Sequence, residues 1–232
     1  MSAPDSLAIR WAAVCERVAQ SCVAAGRPAD AVTILPVSKT FGVDLIREAV
    51  ALGLHRFGEN KVQEIRDKAG PLADCGIDWV VIGHLQTNKA KDVARLASEV
   101  QSLDRLELAE ALDRRLQHEG RAIDVLVQVK TSDEPSKSGL SPEDLPAFLD
   151  ALKSFTTLRP RGLMTLAVAS EDEAEVRACF RALRLCRERA QADGHDLPRL
   201  SMGMSGDFPL AIAEGATEVR IGSAIFGSRV HA

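Results

Sequence analysis

The chain has 232 residues, 46% hydrophobic and 27% charged, with a formal net charge of −4. A chain of this length and composition is globular and large enough to bury a substantial core. It has no long basic run, which argues against a nucleic-acid surface or a polybasic membrane anchor but leaves room for a local basic pocket that holds a small anion.

The first ten residues, MSAPDSLAIR, lack the basic and then apolar regions of a signal peptide, and no apolar run reaches transmembrane length. Residues 5–25 have helical periodicity and carry Cys15 and Cys22. With Cys75, Cys179 and Cys186 these make an odd set without CxxC or zinc-finger spacing. They read as reduced, mostly core-facing thiols of a cytoplasmic protein, and no metal site is expected.

Short apolar runs then alternate with helical segments. Val32–Ser38 is the first strand and is followed at once by Lys39. His55–Gly58, Trp79–Gly83 and Val100–Leu103 are the next three. Asp104–Gly120 is a helix, with Leu108, Leu112 and Leu116 four apart, a capping-box signal in Asp104 and Glu107, and Gly120 at its stop. Val125–Lys130 is the fifth strand. Ser141–Lys153 opens as a helix on an N-cap serine and a proline. Arg161–Leu166 is the sixth strand, Ser170–Ala192 a helix with Ser170 and Glu173 at its start, and Leu200–Met204 and Glu218–Gly222 complete eight strands.

Eight strands, each followed by a helix or turn, make this an α/β chain. They predict a single (β/α)8 barrel domain over residues 1–232, with the extra N-terminal helix across its bottom. An open doubly wound sheet is the rival, but no G-x-G-x-x-G follows the first strand. In a barrel, functional residues gather at the C-terminal strand ends. Those ends read Lys39, FGEN (57–60), IGHLQTNK (82–89), VKTSDEPSKSG (129–139), MTL (164–166), SMGMSGD (201–207) and RIGSAIFG (220–227).

The last two stretches place glycine and serine where strands seven and eight give way to helices. This is the usual phosphate site of the fold, because glycine lets backbone N–H groups approach an anion. Arg220, on an inward barrel position, would need an acceptor, and a pyridine nitrogen is one candidate. Lys39, in a partly desolvated pocket, would be a nucleophile toward an aldehyde. A lysine, phosphate loops and a partner for a ring nitrogen together describe a site for pyridoxal 5′-phosphate.

PVSKT, FGENKVQE, IGHLQTNK, SDEPSKSGL, RGLM, LSMGMSGD and VRIGSAIFG, in that order, resemble the pyridoxal phosphate homeostasis protein family, barrel proteins similar to the N-terminal domain of alanine racemase. The resemblance runs from about residue 30 to residue 229 and departs at WVVIG (79–83), where the family often has His and Phe after the Trp. It implies that Lys39 forms the internal aldimine and that Arg220 faces the pyridine nitrogen. It also implies that Ser201, Gly222 and Ser223 hold the phosphate and that Asn60 lies near the ring. The function implied is cofactor buffering or delivery, with transient contact with apo-enzymes that use the cofactor.

An amino-acid racemase is the alternative. It needs a proton acceptor on each face of the cofactor, and the chain has no tyrosine. None of the five cysteines falls in a loop at the expected site, which leaves His84 as the candidate second base. A Schiff-base aldolase would use Lys39 but leave Arg220 unexplained. No catalytic residue is therefore assigned, and a monomer is expected. Lys137, on the same face, is expected either to lie in solvent, to meet the phosphate or to compete with Lys39 for the aldehyde.

Overall fold

Among residues 6–132, 134 and 137–227, which the computed structural model describes, eight short parallel strands alternate with helices. The strands are β1 (Thr33–Pro36), β2 (Arg56–Glu59), β3 (Asp78–Val81), β4 (Ala97–Leu103), β5 (Ile123–Gln128), β6 (Leu158–Met164), β7 (Arg199–Ser201) and β8 (Glu218–Ile221). The helices are α1 (Leu7–Ala24), α2 (Val43–Ala51), α3 (Val62–Ala69), α4 (Ala90–Leu96), α5 (Leu106–Glu119), α6 (Leu145–Leu152), α7 (Glu173–Ala192), α8 (Phe208–Ala213) and α9 (Ser223–Phe226). The strands pair in the order β1-β8-β7-β6-β5-β4-β3-β2. The two free edges meet at a parallel bridge between Val37 and Gly58, where the Ser38 N–H donates to the Gly58 carbonyl at 3.1 Å. The result is the nearly closed barrel that the alternation of elements predicts.

Local chemistry moves several boundaries. β6 begins three residues earlier than expected because Leu158 is buried. Its pairing with β5 skips Arg161, so Pro160, which cannot donate to a ladder, sits at an irregularity. β4 starts directly after α4, and its first residues include the charged Glu99. Asp104 does not cap α5. Arg105 stands at the N-cap, and the Asp104 carboxylate accepts from its guanidinium at 2.6 Å. Gly120 does end α5, in the left-handed conformation at φ 62°. Ser141 bonds Asp144 in a turn ahead of α6 rather than capping it. The N-cap of α7 is Asp172, whose carboxylate accepts from the Ala174 N–H at 2.8 Å, in place of Ser170. α1 packs on α8, α9 and α2 and so belongs to the outer ring, not the bottom. α9 has only four residues and leaves that place open.

The apolar face of the sheet and the helices form the outer core, with α1 contributing Leu7, Val14, Val18 and Cys22. Cys22, Cys179 and Cys186 are buried and free. Burial pushes the Cys22 and Cys186 thiols up, away from reactive thiolates. No helix among the described residues is long and apolar enough to cross a membrane.

The barrel interior is polar at its N-terminal end. Arg56, Glu99, Arg199 and Glu218 form a closed set of ion pairs: Arg56 to Glu218 at 2.6 Å and to Glu99 at 2.8 Å, Arg199 to Glu99 and to Glu218 at 2.9 Å each. Burial works to lower the two guanidinium groups, but the facing carboxylates outweigh it and hold both above their usual range. Gly162 makes room for this layer, because a Cβ there would stand 2.0 Å from the Arg199 carbonyl oxygen.

Candidate functional site

Strand alternation decides which side chains reach the barrel axis. A Cβ on Gly58 would meet the side chains of Leu35 and Ile82, so these positions face inward. Counting on by twos sends Val37 inward beyond β1, and Lys39 and Asn60 follow at the C-terminal ends of β1 and β2. The intervening Ser38 and Glu59 turn outward and meet, the Ser38 hydroxyl donating to Glu59 Oε1 at 2.7 Å.

On β8 the register pairs Leu35 with Arg220, which places Arg220 inward above Glu218. Arg220 is 3% exposed. Its guanidinium donates to Ser201 Oγ and to the Thr165 carbonyl, each at 2.8 Å. Burial pushes it down to about 10, opposed by the charges of Glu218 and Asp207, so it remains a cation at neutral pH. Above it, Gly222 packs on the end of β1, where an added Cβ would lie 3.1 Å from the Val37 carbonyl oxygen. This brings the start of α9, with Ser223, beside the segment that carries Lys39. After β7, Gly203 has φ 94°, and a Cβ would stand 2.6 Å from that of Ala211. Asp207 closes the adjoining turn by accepting the Met204 N–H at 2.5 Å.

Of the residues expected at the site, Lys39, Asn60, Arg220, Gly222 and Ser223 thus gather at the C-terminal mouth. Ser201 joins them only through Arg220. It is fully buried one layer down, and its hydroxyl donates to Gln101 Oε1 at 2.6 Å while accepting from Arg220. Gln101 in turn donates to Glu99 at 2.7 Å and to Glu218 at 2.5 Å. A continuous polar chain therefore ties Arg220 to the ion pairs at the barrel floor. Sequence reasoning missed Gln101. The signal was present as a polar residue at an alternating position of the strand ASEVQSL.

His84 follows β3 with a half-exposed side chain, its Nδ1 3.7 Å from the Asp104 carboxylate. Lys137 is engaged: its ammonium donates to the Ala167 carbonyl and pairs with Glu134 at 3.1 Å. The Ala169 N–H and Lys137 hold Glu134 below the usual carboxylate range. Asp133, Pro135 and Ser136 of the same stretch lie outside the described residues. No group of three or more metal-ligating side chains occurs among the described residues.

Asn60 owes its place to a glycine. A Cβ on Gly83 would stand 2.2 Å from the Asn60 carbonyl oxygen. Gly83→Ala is therefore expected to displace Asn60 and destabilise the fold by about 1–3 kcal/mol, the range for overpacking. Thermal melts alongside ligand titration check this. An unchanged melting temperature would show that the two loops separate freely.

The family described as the N-terminal domain of alanine racemase matches residues 15–230. The pyridoxal phosphate homeostasis protein of Pseudomonas aeruginosa is 42% identical over 225 residues, covering 97% of this chain and 96% of its own. The chain belongs to the pyridoxal phosphate homeostasis protein family. Its relative of that name from Aquifex aeolicus is 40% identical, covering 95% of this chain and 97% of its own. Among solved structures, PipY of Synechococcus elongatus with PLP bound superposes with a TM-score of 0.84 at 36% identity, covering 96% of this chain and all of that one.

Proposed function

We propose that this protein holds pyridoxal 5′-phosphate at the barrel mouth and serves its buffering or delivery. The observation that carries this reading is the buried cationic Arg220 at the centre of the mouth, between the segment bearing Lys39 and the glycine loops after β7 and β8. The PLP-bound PipY relative supports it.

Each residue has a role set by its chemistry. Lys39 Nζ adds to the cofactor's aldehyde carbon and, with loss of one water, forms the C=N bond that tethers it. Gly222 and Ser223 open α9, where the Ile225 and Phe226 N–H groups turn back to the Gly222 carbonyl, and the N–H groups of Ser223 and Ala224 ahead of them suit a phosphate. Asn60 borders the ring. Ser201 acts through Arg220 by fixing its guanidinium. When bound, the cofactor supplies an electrophilic aldehyde and an electron-withdrawing ring.

Arg220 shapes that ring's reactivity. A guanidinium only donates, so it favours an unprotonated pyridine nitrogen and weakens the electron sink. That suits storage better than catalysis. A racemase would require a second base opposite Lys39, and His84, paired with Asp104 and half exposed, is poorly supported for it. Transient contact with apo-enzymes, a monomeric state and a cytoplasmic location complete the proposal.

The test is intact mass and peptide mapping after incubation with pyridoxal phosphate and borohydride reduction. One reduced pyridoxyl phosphate on Lys39 is expected. Absence of any adduct with excess cofactor would overturn the reading.

A further inference from the structure

The backbone around Lys39 is gripped from outside the barrel by three charged side chains. Lys68, on α3, is only 7% exposed. An ammonium has three N–H bonds to give, and Lys68 Nζ has three acceptors: the Ser38 carbonyl at 2.9 Å, Glu59 Oε1 at 2.6 Å and Glu64 Oε2 at 3.1 Å. Glu64 Oε2 also accepts the Thr40 N–H at 2.6 Å. Both peptide groups that flank Lys39 therefore end on this cluster, the one before it through the carbonyl of Ser38 and the one after it through the N–H of Thr40.

Two features mark the arrangement as more than packing. Thr40 has φ +70°, the single positive value at a non-glycine residue among the described residues. A β-branched residue adopts that conformation only when its surroundings impose it. Glu59 is fully buried, and its Oε2 has no hydrogen-bond partner among the described residues. Burying Glu59 and Lys68 behind a strand end, with Glu64 at the rim, is unfavourable for stability compared with apolar packing. Here they hold one strained turn, and that turn carries Lys39.

We propose that Lys68, Glu59 and Glu64 are positioning residues that fix the backbone on both sides of Lys39 and so aim its amine at the barrel axis. This rests on the reading of Lys39 as the cofactor tether. The charged groups facing Glu59 are Lys68 and Glu64 from α3, with Lys39 next along the chain from Ser38. Burial pushes Glu59 up to about 7, opposed by its bonds from Lys68 and Ser38 and reinforced by Glu64. Burial also works to raise Glu64, but the Thr40 N–H and Lys68 outweigh it and hold this carboxyl below its usual value. Below neutrality Glu59 is uncharged and its grip on Lys68 weakens. Above neutrality both carboxylates hold the ammonium.

The experiment compares wild type with Glu64→Ala, Glu64→Gln and Glu59→Gln. Bound pyridoxal phosphate is measured by equilibrium dialysis, and covalent capture at Lys39 by borohydride quenching over time. Glu64 is partly exposed, and the Lys68–Glu59 pair survives its loss, so the fold is retained. Glu64→Ala is expected to slow capture per bound cofactor about ten- to a hundredfold, as expected when a reacting group is misplaced by roughly 1 Å. Glu64→Gln, which keeps an acceptor for Thr40, is expected to recover most of it. Glu59→Gln is expected to match wild type below about pH 6 and to fall behind above about pH 8, because it mimics the protonated state throughout. Capture at the wild-type rate in Glu64→Ala would overturn the clamp while leaving the tether intact. So would a loss of capture matched by an equal loss of binding. No adduct in wild type would overturn both.

Discussion

Lys39→Ala is expected to lose the borohydride-fixed adduct while retaining weak, reversible binding of pyridoxal phosphate. In the proposed site the tether is one side chain, whereas the β7 and β8 loops, Asn60 and Arg220, assigned to the phosphate and ring, are left in place by the substitution. Lys137 is the rival amine on the same face. Its ammonium is already bonded to the Ala167 carbonyl and paired with Glu134, and both contacts must be given up before this amine can reach an aldehyde. Adduct at one equivalent of cofactor should therefore fall to below about a tenth of the wild-type level, a loss of more than 1.4 kcal/mol in apparent capture. Intact mass and peptide mapping read the result. An undiminished adduct relocated to Lys137 would show that this lysine competes for the aldehyde, and the site would then have two amines within reach of one cofactor.

The outline of this molecule was legible because its information is local. Leu108, Leu112 and Leu116 spell one buried helix face, Gly120 its stop, and Lys39 the end of an apolar strand. What escaped was the polar inside of the barrel. Glu99, Gln101 and Glu218 look like solvent-facing strand residues until eight strands close around them, and only closure supplies Arg56 and Arg199 as partners from distant parts of the chain. Ser201 lies on the strand expected for it, but sequence cannot show that its hydroxyl is taken by Gln101 and Arg220. The clamp behind Lys39 was half legible. Glu64 and Lys68 stand four apart, as helix ion pairs do, but their hold on Thr40 and Ser38 depends on how α3 lies against β1.

Removing one member of the barrel-floor network should have the largest effect on stability. Glu218 is 1% exposed and takes three bonds, from Arg56 at 2.6 Å, Arg199 at 2.9 Å and Gln101 at 2.5 Å. Burial alone would raise its carboxyl, but Arg56 and Arg199 outweigh that and hold it below the usual range. Glu218→Ala leaves two guanidinium groups sharing Glu99 and takes one of the two carboxylate acceptors of the Gln101 amide. Breaking a buried pair from one side costs about 3–5 kcal/mol. The arginine side chains are 31% and 24% exposed and keep some hydration, which favours the lower end. At about 3 kcal/mol, the melting temperature of a chain this long should drop by about 6–12 °C. The effect should also reach the mouth. Gln101 holds Ser201, Ser201 holds Arg220, and the charge of Glu218 helps keep Arg220 a cation. Cofactor affinity measured well below the lowered melting point should therefore fall as well. A variant that melts early yet binds like wild type would confine the network to support of the fold and detach it from Arg220.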